Sequence, residues 1–548
     1  MAEKRLLLGD EAIALGAINA GISGVYAYPG TPSTEITEFI QNNPLAKERN
    51  IHSKWCTNEK TAMEAALGMS YAGKRALVCM KHVGMNVAAD AFINSAITGV
   101  NGGLVVVAAD DPSMHSSQNE QDSRFYGNFA MTPILEPSDQ QEAYDMMEYA
   151  FYLSERMKLP VLMRIVTRLA HSRAGVVIGK VYKENELNLQ ADRKNWVLLP
   201  ANARNQYDNL IMKYSELELE SSNTGYNKLS RIELGKVSDF GIIACGIGYN
   251  YVMEYEEMLE DNISILKISQ YPLPVNLIRL MAEKCKNILV VEDGQPFVEK
   301  EVRAILKIND ENAENSHITK VFGRLTGNLP RTGELTPDKV GLAFGCSSIT
   351  SFSTPDIVMQ RPPALCQGCG HRDVYDALNK VAAEYPNARI FGDIGCYTLG
   401  ALPPFRAIDS CVDMGASITM AKGAADAGIH PAIAVIGDST FTHSGMTGLL
   451  DAINENANIT VIISDNLTTA MTGGQDSAGT NKFEAICLGL GLDPEHLHVV
   501  VPLPKNMDEI TDIIRKEINY KGVSVIIPRR ECIQTLNKKL RKQKADKQ

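Results

Sequence analysis

The sequence predicts an α/β protein built from several doubly wound parallel sheets. Short β-branched runs alternate with helix-compatible segments along most of the 548 residues. Many of these runs end in loops that contain Gly, Asp or Asn, where open α/β sheets bind ligands. At about 150 residues for each domain, the length allows three to four domains.

Composition excludes several classes of protein. The hydrophobic share of 45% and the charged share of 22% are ordinary for a water-soluble globular chain. A net charge of −11 argues against a nucleic-acid-binding role. The N-terminus lacks the pattern of a signal peptide, and no stretch of 18 apolar residues is free of charge. We therefore expect a cytoplasmic protein with no membrane and no nucleic-acid partner.

Four segments follow from the order of the patterns. Residues 1–185 form a first block with the strands "GVYAYPG", "RALVCM", "GGLVVVAAD" and "VLMRIV", and with a helix that Gly73 ends. Residues 186–232 are polar and predict a connecting excursion. Residues 233–340 form a second block with "DFGIIACGIGYN", "ISILKIS" and "NILVVEDG", closed by a turn-rich linker. Residues 360–548 form a third block with "ARIFGDIG", "AIAVIGDS", "ITVIISDN" and "VSVIIPRR".

The strongest chemical signal lies in the third block. Asp438 and Asn466 are 28 positions apart, and each follows the end of a predicted strand. Parallel neighbouring strands would place both side chains at one edge of the sheet, where their oxygens suit Mg²⁺. Gly437 permits a close turn, and the helix start at Ser439 offers N–H groups to a phosphate. A glycine turn with an aspartate helix cap would explain Asp438 but not Asn466.

This pattern resembles the diphosphate-binding motif of thiamine-diphosphate enzymes. The resemblance implies that Asp438, Asn466 and the carbonyl of Thr468 bind Mg²⁺. It also implies a glutamate in a second domain that contacts the aminopyrimidine ring of the cofactor. "CTNEKTAMEAALG" offers Glu59 and Glu64. We favour Glu59, because it starts the helix beside the preceding loop.

Further motifs resemble the 2-oxoacid:ferredoxin oxidoreductases. "YAYPGTPSTEI" is similar to their "YPxTPS" signature, and the segment from Asn58 to Asp90 is similar to the branch of large (alpha) subunits of indolepyruvate:ferredoxin oxidoreductases. "CQGCGHR", "GDIGCYTLG", "DMGASI" and "DNLTTAMTGGQ" match the same branch. The implied order is a pyrimidine-binding domain (1–185), a transketolase-C-like domain (233–340) and a diphosphate-binding domain (360–548).

The resemblance implies an activity and its partners. An aryl 2-oxoacid such as indolepyruvate would be oxidatively decarboxylated, its acyl group would pass to coenzyme A, and its electrons would pass through an iron–sulfur cluster to ferredoxin. A separate small (beta) subunit would complete a hetero-oligomer.

The same resemblance implies roles for residues of the first block. Thr31 would contact the substrate, Lys81 and His82 would line its pocket, and Arg124 would face its carboxylate. The alternatives are a plain turn at Thr31, a solvated loop at Lys81 and His82, and a surface ion pair at Arg124.

In the third block, His371 and Gln475 would approach the thiazolium or the diphosphate. Gly415, Ala416 and Ser417 would receive phosphate oxygens, while Asp413 would orient the turn before them.

The pair Cys366 and Cys369 has several interpretations. By resemblance to pyruvate-type enzymes, Cys366, Cys369, Cys396 and Cys532 would hold a [4Fe–4S] cluster. That interpretation requires all four thiols to lie within reach of one another. Zinc held by the pair, His371 and another cysteine is the first alternative, and a dithiol redox pair or buried free thiols are the others. The remaining cysteines predict small core residues: Cys56, Cys79, Cys245, Cys285, Cys346, Cys411 and Cys487.

One departure from the family leaves the activity open. Many relatives carry a C-terminal ferredoxin-like domain with two runs of the form CxxCxxCxxxCP, and this sequence contains neither run. Electrons would need another route out. A non-oxidative thiamine-diphosphate-dependent decarboxylase or carboligase is therefore the alternative, followed by a non-enzymatic scaffold.

Overall fold

The chain divides into two compact units, Met1–Ser353 and Thr354–Gln548. The computed structural model describes residues 3–189, 193–231, 238–259, 263–307, 319–345, 355–359 and 362–545. Each unit is described by itself.

The first unit contains fourteen described strands. They are β1 (Lys4–Leu8), β2 (Gly24–Ala27), β3 (His52–Trp55), β4 (Ala76–Lys81), β5 (Leu104–Asp110), β6 (Ile134–Leu135), β7 (Val161–Val166), β8 (Arg173–Val177), β9 (Lys228–Ser230), β10 (Ser238–Cys245), β11 (Ser264–Ile268), β12 (Gln270–Tyr271), β13 (Cys285–Val291) and β14 (Lys320–Phe322).

Thirteen described α-helices accompany these strands. They are α1 (Gly9–Asn19), α2 (Thr34–Asn42), α3 (Pro44–Glu48), α4 (Glu59–Tyr71), α5 (His82–Thr98), α6 (Arg124–Phe129), α7 (Gln140–Met157), α8 (Thr167–His171), α9 (Pro200–Asn223), α10 (Ile247–Met253), α11 (Val275–Ala282), α12 (Phe297–Lys307) and α13 (Pro337–Ala343).

The strands of this unit form two main sheets and one small one. The larger sheet has the order β12-β6-β7-β5-β4-β2-β3 and is parallel except for β12. The second has the order β14-β13-β10-β11-β9, with only β9 antiparallel. β1 and β8 form an antiparallel pair. The central strands are continuous apolar runs because helices cover both faces of each parallel sheet. The predicted fold class is confirmed.

The first two predicted blocks share a sheet. β12 belongs to the second block, yet it pairs with β6 at the edge of the larger sheet. Within the predicted excursion, the chain forms the 24-residue helix α9, whose Leu210 and Leu217 are buried. The weak apolar periodicity of this helix explains why the sequence pattern did not predict it.

A buried ion cluster connects elements of the first unit. We use this name for six side chains that are at most 4% exposed: Asp110, Asp122, Arg124, Glu136, Arg164 and Glu292. The Arg124 guanidinium lies 2.5 Å from Asp122 and 3.0 Å from Glu292, and the Arg164 Nε lies 2.6 Å from Asp110. Burial opposes ionisation of Asp122, but Arg124 and Arg164 outweigh it and hold the pKa of Asp122 below its ordinary value.

The second unit contains one six-stranded parallel sheet of order β16-β15-β17-β18-β20-β19. Its strands are β15 (Arg389–Gly392), β16 (Ser410–Cys411), β17 (Ala432–Gly437), β18 (Ile459–Ser464), β19 (Leu497–Val500) and β20 (Val523–Pro528). Its α-helices are α14 (Gly370–Ala382), α15 (Ala416–Asp426), α16 (Asp438–Thr440), α17 (Met446–Asn454), α18 (Phe483–Gly489), α19 (Met507–Ile518) and α20 (Ile533–Ala545), and a π-helical turn at Phe441–Gly445 joins α16 to α17.

Alternate residues of β17 enter two separate cores. Ile433 and Val435 pack in the core that includes residues of α14 and α19, whereas Ala434 and Ile436 pack in the core that includes residues of α15 and α17. The side chains of a strand alternate between the faces of its sheet. The sheet is therefore covered on both faces, which leaves the strand ends as the place for polar groups.

The cysteines predicted to be small core residues divide into three groups. Cys79, Cys245, Cys285 and Cys487 are buried, as predicted. Cys56 is half-buried and Cys411 is exposed, so the prediction for Cys411 is wrong. β16, which ends at Cys411, is a two-residue strand at the sheet edge, and the Cys411 side chain belongs to neither of the two apolar cores described for this sheet. Cys346 lies outside the described residues. Within the described part of the chain, none of the helices is both long and apolar enough to cross a membrane.

We expect Asp122→Asn to lower the free energy of unfolding by about 3–5 kcal/mol, because it leaves buried guanidinium charge under-compensated. Urea denaturation followed by circular dichroism measures the change. Asp239→Asn is the matched control, since Asp239 is 81% exposed beside Lys286 and should cost at most about 1 kcal/mol. Equal midpoints for the two variants would show that the ion cluster contributes little to stability.

Candidate functional site

Polar groups gather at the carboxyl edge of the sheet in the second unit. β17 and β18 pair in parallel with Gly437 opposite Ser464, so Asp438 and Asp465 leave the sheet side by side. Asn466 follows directly. The predicted juxtaposition of Asp438 and the Asp465–Asn466 segment is what this register produces.

Asp438 and Asn466 converge on one backbone amide. The Thr468 N–H donates to Asp438 Oδ2 at 3.1 Å and to Asn466 Oδ1 at 3.2 Å. The Ser439 N–H donates to Asp438 Oδ1 at 2.6 Å, so this amide binds the carboxylate rather than pointing freely outward. Burial, followed by the charge of Asp465, raises the pKa of Asp438 to about 7. A cation beside these two oxygens would favour the ionised carboxylate.

The loop after Asn466 is held by its own hydrogen bonds. The Thr468 hydroxyl and the Thr469 N–H both donate to the Gln475 carbonyl, at 2.9 Å each. The Gln475 side-chain amide donates to the Thr472 carbonyl at 2.9 Å, so it folds back on its own loop. The Ser439 hydroxyl lies 2.6 Å from the Thr469 hydroxyl and connects this loop to the end of β17.

Gly437 is required by a close approach. A Cβ at this position would lie 2.4 Å from the Tyr397 ring, which is far inside van der Waals contact. The ring of Tyr397 therefore packs directly on the backbone that precedes Asp438.

Gly415 and Ser417, expected to receive phosphate oxygens with Ala416, have a partner inside the chain. The N–H groups of Gly415 and Ser417 donate to Asp393 Oδ1 at 2.9 and 3.1 Å, and the Ser417 hydroxyl donates to Asp393 Oδ2. These amides bind a carboxylate of the chain instead of being presented to a phosphate. Ala416 lies between them as the first residue of α15. Asp413 is exposed.

Asp393 is the residue that the sequence reasoning missed. It directly follows β15, in the same strand–Gly–Asp pattern as Asp438, and it is fully buried. Burial raises the pKa of Asp393 to about 6, against the hydrogen bonds from Ser417 and Gly415. The rule that selected Asp438 at a strand end would have selected Asp393 as well.

All four cysteines of the predicted ligand set line one cavity of about 310 Å³. Cys366 and Cys369 precede and cap α14, Cys396 follows β15 in a 3₁₀ turn, and Cys532 precedes α20. The Cys532 N–H donates to the Asn466 carbonyl at 3.1 Å. The cavity therefore adjoins the loop that carries the Asp438–Asn466 pair.

The thiols of the cavity interact electrostatically. Burial first, and then the neighbouring Cys532, Cys369 and Cys366, together raise the pKa of Cys396 to about 12. Such thiols favour ionisation only beside a compensating positive group, which a bound metal supplies.

The spacing of these thiols does not suit a single zinc ion. Tetrahedral coordination at 2.3 Å would place ligand sulfurs about 3.8 Å apart. Among the described residues, no three atoms drawn from these thiols and His371 lie within 4.8 Å of one another. A four-iron cluster holds its thiolates on separate irons and therefore further apart.

His371 and Asn466 line the same cavity and contact each other. His371 is buried, and its Nε2 lies 3.4 Å from Asn466 Nδ2. Burial lowers the pKa of His371 to about 4, so the ring is neutral near pH 7.

In the first unit, the two candidate glutamates occupy different environments. Glu59 begins α4 and is only 6% exposed, whereas Glu64 is on the exposed side and pairs with Lys60. A Cβ at Gly84 of α5 would lie 2.7 Å from Glu59 Oε1. The missing side chain at Gly84 therefore makes room for the Glu59 carboxyl.

Thr31 and Lys81 belong to one corner of the larger sheet. Thr31 lies in the turn between β2 and α2, and a Cβ at the adjacent Gly30 would lie 3.1 Å from the Lys81 Cβ. Lys81 Nζ donates to the Ser116 carbonyl at 2.7 Å. Burial lowers the pKa of Lys81 to about 8, although Asp111 opposes the shift.

His82 does not lie in a solvated loop. It is fully buried as the first residue of α5, and its Nε2 lies 3.2 Å from the Asn119 carbonyl. Its Nδ1 has no hydrogen-bond partner among the described residues.

Arg124 lies inside the fold of the first unit. It is 0% exposed, and its guanidinium donates to Asp122 and the Gln295 carbonyl and contacts Glu292. The alternative of a surface ion pair does not agree with this placement, and the contact with a substrate carboxylate stays a prediction. Asp122 and Glu292 satisfy the charge of this arginine inside the fold.

Two family models match the chain. "Pyruvate flavodoxin/ferredoxin oxidoreductase, thiamine diP-bdg" matches residues 15–216. "Thiamine pyrophosphate enzyme, C-terminal TPP binding domain" matches residues 393–527. Both models describe domains that bind thiamine diphosphate, one in each unit of the chain.

The chain is also similar to curated proteins along most of its length. "Indolepyruvate oxidoreductase subunit IorA" of Archaeoglobus fulgidus is 39% identical over 97% of this chain and 86% of its own length. The protein of the same name from Methanothermobacter thermautotrophicus is 37% identical over 97% of this chain and 87% of its own length. A solved 2-oxoglutarate:ferredoxin oxidoreductase from Magnetococcus marinus matches with a TM-score of 0.49 and 16% identity, over 63% of this chain and 65% of that one.

We expect Asp393→Ala to lower the free energy of unfolding by about 2–4 kcal/mol, because two buried N–H donors and the Ser417 hydroxyl lose their acceptor. Thermal unfolding of the full chain measures the loss. Asp413→Ala removes an exposed carboxylate from the same segment and should change stability by no more than about 0.5 kcal/mol. A similar small change for both variants would show that other groups satisfy the Gly415 and Ser417 amides.

Proposed function

Because this chain belongs to the family of indolepyruvate oxidoreductase subunit IorA, we propose that it oxidatively decarboxylates an aryl 2-oxoacid of the indolepyruvate type. The acyl group passes to coenzyme A, and the electrons leave through a [4Fe–4S] cluster to ferredoxin. The observation that carries the proposal is the single cavity lined by Cys366, Cys369, Cys396 and Cys532 in the unit that matches a thiamine-diphosphate-binding domain.

Each unit contains residues that match a role in thiamine-diphosphate binding. When bound, thiamine diphosphate supplies the nucleophilic carbon and the electron sink that decarboxylation of a 2-oxoacid requires. Asp438, Asn466 and the Thr468 carbonyl would hold Mg²⁺ on the diphosphate. The convergence of the first two on the Thr468 amide supports this assignment, as does the preference of Mg²⁺ for oxygen ligands. The Glu59 carboxyl, for which Gly84 leaves room, would hydrogen-bond the aminopyrimidine ring.

The thiols fit a cluster better than a single metal ion. Four cysteines are the usual ligand set for [4Fe–4S], and the cavity presents four. His371, neutral and buried beside Asn466 in the lining of this cavity, would approach the thiazolium or the diphosphate without adding charge. Gln475 would help fix the diphosphate loop through its carbonyl.

The substrate would meet the corner formed by Thr31, Lys81 and His82. The Thr31 hydroxyl is positioned by a turn that packs on Lys81. A lysine with a pKa of about 8 remains mostly protonated at pH 7, so it would attract a 2-oxoacid carboxylate. His82 would hold or donate a proton through Nδ1.

Partners follow from the family. A relative named as a subunit implies that a second subunit completes the enzyme. We propose a hetero-oligomer with a small (beta) subunit, with ferredoxin and coenzyme A as further partners, and a cytoplasmic location.

Anaerobically prepared protein should contain about four iron and four acid-labile sulfide atoms for each chain. Cys396→Ser should lose most of the absorbance near 400 nm, because one of four ligands is removed. Cys411→Ser is the control, since Cys411 is exposed and does not line the cavity. Aldehyde release from the 2-oxoacid by iron-free protein, without an electron acceptor, would instead favour the non-oxidative decarboxylase.

Glu59→Gln should lower kcat by roughly 10²–10⁴-fold, as expected when a proton-handling carboxyl is lost. Binding of thiamine diphosphate, measured by calorimetry, should weaken much less, because Mg²⁺ and the diphosphate contacts remain. Glu64→Gln, on the exposed side of the same helix, should leave both quantities unchanged. Unchanged turnover in Glu59→Gln would remove Glu59 from the mechanism.

A further inference from the structure

A second group of ligand-type side chains lies in the first unit, outside the site described above. Asp10 is in the first turn of α1, Glu35 is in the first turn of α2, and His171 ends α8. One ligand atom from each lies within 4.8 Å of the other two. His171 Nε2 is 3.6 Å from Glu35 Oε1.

Asp10 is an unusual carboxylate. It is 0% exposed, and neither of its oxygens receives a hydrogen bond from any donor among the described residues. Glu35 Oε2 is likewise buried and accepts none. A buried carboxylate normally has hydrogen-bond donors or a cation beside it, because burial alone strongly disfavours its charge. The described side chains therefore place no hydrogen-bond donor on the Asp10 carboxylate, which points to an added positive group.

The neighbouring acidic residues add to the cost of a negative charge on Asp10. Burial and the charges of Glu35 and Glu11 all raise the pKa of Asp10 well above its ordinary value. The Arg173 guanidinium pairs with Glu11 at 3.4 Å. The cationic group beside Glu35 is the imidazole of His171. The hydrogen bond between the two side chains raises the pKa of His171. Without a cation, the Asp10–Glu35 pair has to share a proton.

We propose that Asp10, Glu35 and His171 form a binding site for a divalent transition-metal ion of the Zn²⁺ type. Two carboxylates and one imidazole are a ligand set that Zn²⁺ accepts, and three protein ligands leave a fourth position for water. The ion neutralises the buried Asp10 carboxylate together with the half-buried carboxylate of Glu35. His171, about one-third exposed, provides the route from solvent.

The site would connect three helix ends. The first turns of α1 and α2 and the last residue of α8 would be joined through one ion. Glu35 lies four residues after Thr31, so the metal would also anchor the helix that begins directly after the Thr31 turn. The site is structural. It supports the Thr31 turn through α2 and makes no contact with reacting atoms.

The number of tight zinc equivalents tests the proposal. Full-length protein, prepared anaerobically with its native cofactors and dialysed against chelator, is titrated with ZnSO₄ and analysed for bound zinc. His171→Ala and Asp10→Asn should each bind one equivalent fewer than the unaltered chain. Their melting temperature should also lose the zinc-dependent rise that the unaltered chain shows.

His115→Ala is the matched control, because His115 is an exposed histidine 3.4 Å from a carboxylate of Glu334. It should keep the full number of zinc equivalents. Zinc-edge anomalous scattering from crystals soaked in ZnSO₄ should show a peak between Asp10, Glu35 and His171. Equal zinc equivalents in His171→Ala and the unaltered chain, or no anomalous peak at these three residues, would overturn the proposal. If Asp10→Asn does not fold, His171→Ala and the anomalous map decide the question alone.

Discussion

The parallel register of β17 with β18 is the constraint on which the second unit depends. With Gly437 opposite Ser464, two strands end at the same level, and the chain has to deliver Asp438 and Asp465 side by side. β15 on one side and β20 on the other continue the pattern, and they deliver Asp393 and the Arg529–Cys532 segment to the same edge. Polar groups collect there because both faces of the sheet are filled by apolar cores.

Two buried aspartates at this edge have different hydrogen-bond partners. Asp438 and Asp393 both follow a strand that ends in Gly, and burial raises the pKa of both. Asp393 is surrounded by amides of its own unit, which fix the start of α15. Asp438 and Asn466 both accept a hydrogen bond from the Thr468 N–H, so a second side-chain oxygen lies beside the Asp438 carboxylate. Local sequence is nearly the same in the two places, and the difference comes from which loop folds over each carboxylate.

Much of the fold was predictable because continuous β-branched runs mark buried parallel strands. The four strands quoted for the third block are present as β15, β17, β18 and β20. β6 and β12 have two residues each, too few for any pattern. The burial of Arg124 was not predictable from the sequence, because it depends on Glu292, 168 positions later. The grouping of the four cysteines came from family resemblance, since no periodicity relates Cys396 to Cys532.

The hydrogen bond from the Cys532 N–H to the Asn466 carbonyl has a further consequence. It connects the segment that carries Cys532 to the segment that carries Asn466. The hydrogen bond from the Arg530 N–H to the Asp465 carbonyl connects the same two segments. Damage by air at Cys532 is therefore expected to disturb Asn466 as well. Oxygen sensitivity in this enzyme would involve weaker retention of the organic cofactor, together with loss of the electron path.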